Sequence, residues 1–320
     1  MEKEYKGTEA RYINPLTDYG FKKIFGDEEI MRAFLTDLLE PASPIKTIKF
    51  LDKELGAETE SERGVIYDLR CETEDGKRFI VEMQNRSQSH FSDRILFYLS
   101  RSFSLQEKKG ALNWNYALEP VYGIFFLNFK LSGFKARAKR TIQLKVEETN
   151  EVFSDKLRAY TLELPSFREK PLTFPKEKIE YWLYNLANME TMTNAIPYQD
   201  KQPAFKKMGN ISELVRMTPE ELSKYNISLD VFRTNFSVME NERAEGLKQG
   251  IQQGIQQGIQ QGIQQGIQQG IRQGIQQGVA KNQYDTVIKM IQKRYSVEEI
   301  SEITGLPEEE VSRIFIGWNK

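Results

Sequence analysis

The chain has 320 residues, 39% of them apolar, with 45 Lys plus Arg against 46 Asp plus Glu, one cysteine and one histidine. A lone cysteine, Cys71, makes no internal disulfide, and Cys71 with His90 cannot build a Cys/His zinc site, so any metal must be held by carboxylates. The same shortage leaves little room for a Ser/His/Asp triad, and a net charge of −1 places any nucleic-acid contact in local patches rather than in bulk charge.

The length suits one large core with appendages. The longest apolar run, near Val121 to Leu127, falls far short of the roughly 18 residues a membrane span needs, and MEKEYKGTEARY has no apolar signal core. The expectation is a soluble, cytoplasmic protein with no membrane partner.

In chain order, Asp18 to Glu40 places Phe21, Ile24, Phe25, Ile30, Met31, Phe34, Leu35 and Leu38 at helical spacing, with a possible break at Gly26. Ile45 to Leu55 alternates as a strand. Gly64 to Thr73 and Lys77 to Gln84 read as a hairpin, and Phe91 to Lys108 as an amphipathic helix expected to cover the sheet. Val121 to Phe129 is a continuous apolar strand of the kind buried on both faces; Arg140 to Val146 and Tyr160 to Leu164 are further strands. Helices dominate from Lys176. This order predicts an α/β fold with a mixed central sheet flanked by helices, followed by helical segments and a C-terminal helical tail.

The hairpin sorts by parity. Val65, Tyr67, Leu69, Cys71, Phe79, Val81 and Met83 are odd and apolar, while Asp68, Arg70, Glu72, Arg78, Glu82 and Gln84 are even and polar. Opposed residues share a face, so paired numbers must sum to an even value. A two-residue turn at Asp75 and Gly76 fails that test; a three-residue loop of Glu74, Asp75 and Gly76, with Gly76 left-handed, passes. The resulting register opposes Leu69 to Val81, Cys71 to Phe79, Glu72 to Arg78 and Asp68 to Glu82, with Gln84 on the same face.

Two carboxylates with side-chain carbons about 4.5 to 5.5 Å apart repel unless a cation lies between them. Mg2+ suits such a pair, because its octahedral shell takes one or two carboxylates plus water and substrate phosphate; Mn2+ or Ca2+ are alternatives. The plainer reading pairs Asp68 and Glu82 with Arg70, Arg78 or other bases on a solvated face.

At these residues the sequence resembles the PD-(D/E)xK nuclease superfamily, and in particular its Rpn-type recombination-promoting nucleases and transposases. The resemblance rests on Asp68, on Glu82-Met83-Gln84 and on the opening TDYGFKKIFGDEE, and it is read through the glycine repeat and the ITGLPEEEV tail. It implies a restriction-endonuclease-like core, a divalent metal on Asp68, Glu82 and Asp18, and Gln84 positioning water. Asp18 carries two readings, ligand and helix cap, and Asp27 or Glu28 are lesser candidates for the first acid. Gln84 stands where many members have lysine, and a neutral amide supplies no charge to the pentavalent phosphate. DNA is the implied substrate, in exchange or in defence against foreign DNA. Arg94, Arg101, Arg137, Lys139 and Arg140 are candidate backbone contacts, though each also reads as ordinary surface charge. His90 reads as an incidental loop residue.

From Gly246 to Gly278 a glycine recurs every fourth residue, followed by isoleucines from Ile251 to Ile275. As a helix this segment would be about 50 Å long, with nine glycines each costing about 1 kcal/mol and stripes drifting about 40° per repeat. Self-association and a tether are the two readings; exposed isoleucines favour homo-oligomerisation. Val287 to Ile316 resembles a helix-turn-helix, with a Ser296/Glu299 capping box, Ile300 and Ile303 as core, Gly305 ending one helix and Pro307 opening the next. Glu308, Glu309 and Glu310 would face phosphate there, so an assembly module is preferred to a DNA reader. The expected organisation is a nuclease-like core over 11–175, a helical extension over 176–245, the repeat over 246–278 and a small helical module over 279–320. The leading reading is a Mg2+-dependent DNA endonuclease; the alternative is a catalytically inactive scaffold of the same fold that oligomerises through its repeat.

Overall fold

The computed structural model describes residues 10–55, 65–106, 117–135 and 137–318. The chain divides into two units, Met1–Phe236 and Ser237–Lys320.

Helices α1 (Asp18–Phe25) and α2 (Glu28–Leu39) separate at Gly26, because Asp27 starts the second helix by accepting the Glu29 and Ile30 N–H groups at 3.1 Å. Thr17, not Asp18, caps α1: its hydroxyl accepts the Gly20 N–H at 3.0 Å. Gly20 is required there, since a Cβ would lie 2.2 Å from the Asn14 carbonyl oxygen. The loop before α1 therefore closes directly on the helix's first turn.

The strands are β1 (Ile48–Phe50), β2 (Glu54–Leu55), β3 (Val65–Ile66), β4 (Leu69–Thr73), β5 (Arg78–Gln84), β6 (Val121–Leu127), β7 (Lys139–Lys145) and β8 (Val152–Glu163). Six form a mixed sheet in the order β1-β4-β5-β6-β8-β7, with β5, β6 and β8 parallel; β2 and β3 pair separately. Helix α3 (Phe91–Ser104) makes the crossover between β5 and β6 and packs Phe91, Ile95 and Leu99 on Ile80, Val121, Phe125 and Leu127. The opposite face packs Leu69, Cys71, Phe79 and Val81 with α1, α2, α4 (Lys178–Asn188) and α5 (Ala204–Ser212). Rings interlock in that layer: Phe25 to Phe34 at 5.1 Å, Phe34 to Trp182 at 5.5 Å and Trp182 to Phe205 at 4.6 Å. Truncating one such ring costs about 3 to 5 kcal/mol. Trp182 and Phe205, from the expected extension, thus share one core with the sheet.

The β4–β5 register is the expected one: Leu69 opposes Val81, Cys71 opposes Phe79 and Glu72 opposes Arg78, across a loop whose Gly76 has φ +81°. Three expectations need correction. The strand over 64–73 breaks at Tyr67 and Asp68, so that Val65 and Tyr67 join the α3 layer while Leu69 and Cys71 join the other. An irregularity of one residue swaps the face of everything beyond it. The strand over 45–55 splits into β1 and β2, with β2 turning away to pair with β3. Strand β8 starts at Val152 rather than Tyr160; its outer end is held by pairing to β7 rather than by burial, and Phe153 is 76% exposed. The expected start at Gly64 and end at Lys108 lie outside the described residues.

Helix α6 (Pro219–Gln292) contains the whole repeat, each of whose isoleucines is 56% to 62% exposed. In the second unit, α7 (Val297–Thr304) and α8 (Glu308–Trp318) pack Ile300 and Val311 against Val287 and Ile291. Ser296 and Glu299 form the capping box and Gly305 is left-handed at φ +69°. Ile303, expected in that small core, is 63% exposed in the last turn of an eight-residue helix, although its three-residue spacing from Ile300 puts both on one side. Among the described residues no helix is long and apolar enough to cross a membrane.

Candidate active site

Asp68 sits at the break just before β4, and Glu82 and Gln84 lie at the C-terminal end of β5. The two acids are joined reciprocally through the backbone. The Asp68 N–H donates to Glu82 Oε1 at 2.9 Å, and Asp68 Oδ2 accepts the Met83 N–H at 2.9 Å. The Asp68 carboxylate thereby takes the ladder position a strand carbonyl would fill, which accounts for the break. Gln84 Nε2 donates to Glu82 Oε2 at 3.1 Å. Glu82 and Gln84 are both buried.

Burial, and then the facing Asp68 charge, raise the Glu82 carboxyl above its ordinary range; burial is also the chief cause of the raised Asp68. Two cations oppose this. Lys22, one turn along α1, and Arg94, on the first turn of α3, each lower both carboxyls. Arg94 lies 3.7 Å from Glu82 Oε2 with its guanidinium 4.9 Å over the Tyr98 ring. Tyr98 is in turn held by Tyr67, whose hydroxyl donates to the Tyr98 carbonyl at 3.1 Å. Arg70 and Arg78 do not serve the acids: Arg70 donates to the Asp52 carbonyl at 2.6 Å and Arg78 pairs with Glu72 at 3.2 Å.

Asp18 occupies the first position of α1 and pairs with Lys22; its charge is felt at Asp68 and raises it. The helix reaches the site because Asn85, next after Gln84, donates its side-chain amide to the Leu16 carbonyl at 2.7 Å. Among the described residues no three acidic, His or Cys side chains converge as a ready metal cage. The donor set nevertheless fits a cation that brings water as its remaining ligands. A buried Glu82 and a half-buried Asp68, both with raised affinity for protons and locked to each other's strand, are what a hard divalent ion would relieve.

The other expected cations scatter. Arg101 lies farther along α3 and acts electrostatically on Tyr67. Arg137 is exposed, and Lys139 opens the edge strand β7, three strand spacings or about 14 Å from β5. Arg140 is committed inside the fold: its Nη1 donates at 2.6 Å to Glu163, whose side chain is fully buried. His90 precedes α3, exposed, within 3.2 Å of Asp93. Sequence reasoning did not find Lys22, Tyr98 or Asn85 at the site; the four-residue spacing from Asp18 to Lys22 was the one local signal.

A mixed sheet that presents an aspartate at one strand end and Glu-x-Gln on the next, beside the first helix, defines a protein of the PD-(D/E)XK nuclease class. The chain belongs to the family described as PD-(D/E)XK nuclease family transposase, whose model matches residues 15–242. The match ends before the glycine repeat and the tail. No curated protein and no solved structure matches the chain.

Proposed function

We propose that the protein is a divalent-metal-dependent DNA endonuclease of the recombination-promoting type, acting in the cytoplasm in DNA exchange or against foreign DNA. The observation that carries this reading is the reciprocal lock between Asp68 and Glu82, which holds a half-buried and a buried carboxylate together. Asp68 and Glu82, with Asp18 as a third acid, would hold Mg2+, or Mn2+ or Ca2+ in its place. When bound, the cation polarises the scissile phosphate and lowers the pKa of a coordinated water. Gln84 gives one of its two amide N–H groups to Glu82, and its carbonyl oxygen is the acceptor that would orient the attacking water. Arg137 and Lys139 would steer the DNA backbone along the sheet edge.

The family supports a nuclease; the neutral Gln84 favours the rival reading of an inactive scaffold. Nicking of supercoiled plasmid in Mg2+, in Mn2+ and in EDTA, beside folded Asp68→Ala and Glu82→Ala proteins, separates the two. Metal-dependent cleavage lost in both variants supports the endonuclease, and absence of cleavage in every condition supports the scaffold.

We also assign the repeat to homo-oligomerisation, leaving 11–175 with its 176–245 extension as the catalytic part and 279–320 as an assembly module. A Cβ at any glycine from Gly246 to Gly278 would meet nothing within 4 Å, and the isoleucines stand exposed beside them. Light scattering of the intact chain against one with Ile259, Ile263 and Ile267 changed to Gln reads the outcome: a fall in mass supports self-association, and an unchanged mass supports a tether.

A further inference from the structure

Building on the nuclease reading, we propose that Arg94 is a catalytic residue of this site: its guanidinium, clamped against the Tyr98 ring, supplies the transition-state cation that Gln84 cannot. Gln84 occupies the position two residues after Glu82 and carries no charge, so a reaction that builds charge on phosphate must find its cation elsewhere. Two cations act on the acid pair, and they differ in what holds them. Lys22 is tied to Asp18 on its own helix. Arg94 comes from the helix that covers this face of the sheet, and at 3.7 Å it stands beyond hydrogen-bond length from Glu82 Oε2.

Glu82 Oε2 already accepts from Gln84, and Oε1 from Asp68, so Arg94 serves Glu82 through charge alone. The side chain of Glu82 is 3% exposed and that of Arg94 is 32% exposed, which puts the guanidinium at the boundary between the buried Glu82 and solvent. The Tyr98 ring, its centroid 4.9 Å from the guanidinium carbon, holds the cation by its face, and the Tyr67 hydroxyl bond to the Tyr98 carbonyl ties down the helix that carries it. A planar fork of five donors at that boundary can keep one edge toward Glu82 and offer another to a phosphate oxygen, which a lysine ammonium does less well.

In the hydrolysis a water oxygen forms a new bond to phosphorus while one P–O ester bond breaks. The bonding pair leaves on the departing alkoxide, which takes up a proton as the attacking water gives one up. Arg94 stays protonated throughout and balances the added negative charge on the non-bridging oxygens.

The test uses the full chain with Arg94→Ala, Arg94→Gln and Arg94→Lys, each checked for folding by its thermal melt. Three quantities are read: single-turnover cleavage at saturating Mg2+, affinity for uncleaved duplex in Ca2+, and thermal stabilisation by Mg2+ alone. The expected result is a loss of about 100-fold or more in cleavage rate for Arg94→Ala and Arg94→Gln, the size typical of removing one electrostatic donor. Arg94→Lys regains at least about tenfold of it, because the charge survives without the fork. DNA affinity stays within about threefold, since one phosphate contact among several contributes little to ground-state binding. Mg2+ stabilisation is kept. Full cleavage by Arg94→Ala beside an active wild type overturns the role of Arg94 and leaves the nuclease reading intact. A loss of affinity that matches the loss of rate makes Arg94 a backbone grip and overturns it, as does loss of Mg2+ stabilisation, which makes it part of the metal site's assembly. A wild type that cleaves nothing overturns both readings together. Should Arg94→Ala fail to fold, the Gln and Lys variants carry the same decisions.

Discussion

The backbone N–H of Asp68 donates to the carboxylate of Glu82 at 2.9 Å, so the residue that brings one acid to the site also fixes the other. The return bond, from Met83 N–H to Asp68 Oδ2, depends on the Asp68 side chain, whereas the first depends only on its backbone. The two acids are therefore not equivalent under mutation.

Asp68→Ala keeps its N–H on Glu82 but leaves the Met83 N–H without its acceptor, a loss of about 1 to 3 kcal/mol where no water replaces it. It also removes one of the three proposed metal ligands. Wild-type protein at 100 times its metal Kd gains about 2.7 kcal/mol from binding, and the variant gains none. Urea unfolding with and without Mg2+ measures both effects; an equal Mg2+ gain in the variant would remove Asp68 from the ligand set.

Glu82 is pushed up to about 8 by burial and by Asp68, above its unfolded value of about 4.3. Between those values the folded state holds a proton the unfolded chain has lost. Without metal, stability therefore falls as pH rises through that window, by as much as about 1.4 kcal/mol per pH unit. Glu82→Gln removes the titrating group and flattens this dependence. Metal must displace the retained proton, so Mg2+ affinity rises with pH over the same window. Chemical denaturation in EDTA and Mg2+ titration, each at about pH 6 and about pH 8, check the two slopes; parallel slopes in wild type and variant would contradict the assignment.

Gly20→Ala forces a Cβ to within 2.2 Å of the Asn14 carbonyl oxygen, so the loop and α1 must separate. Overpacking of this kind costs about 1 to 3 kcal/mol. The shift falls at the turn that carries Asp18 and Lys22, so proposed cleavage falls by more than stability alone explains, measured at a temperature where the variant is folded.

Arg140→Ala and the paired change Arg137→Ala with Lys139→Ala separate structure from DNA binding. The first leaves the fully buried Glu163 without its cation, holding only the Leu131 N–H, and lowers stability by about 3 to 5 kcal/mol. The second leaves stability within about 0.5 kcal/mol and weakens duplex binding, reducing the salt dependence of log K by about one for each phosphate no longer neutralised. Thermal melts and binding isotherms at two salt concentrations distinguish the outcomes; a stable Arg140→Ala protein would contradict the burial argument.

What the sequence determined by itself is local. Parity and loop length set the β4–β5 register, since side-chain direction alternates strictly and a left-handed Gly76 suits a three-residue turn; Gly26 marked a helix break, and the Ser296/Glu299 box marked a helix start. These features depend on neighbours a few residues apart. The tertiary structure alone decided the rest of the site. Arg94 and Lys22 meet Glu82 and Asp68 because α3 covers one sheet face while α1 is tied by Asn85 to the end of β5. The same basic run split between an exposed Arg137 and an Arg140 bound to buried Glu163, which no composition could distinguish. Charge is written in the sequence, but its partner and its access to water are set by which surfaces the fold brings together, and those surfaces join residues tens of positions apart.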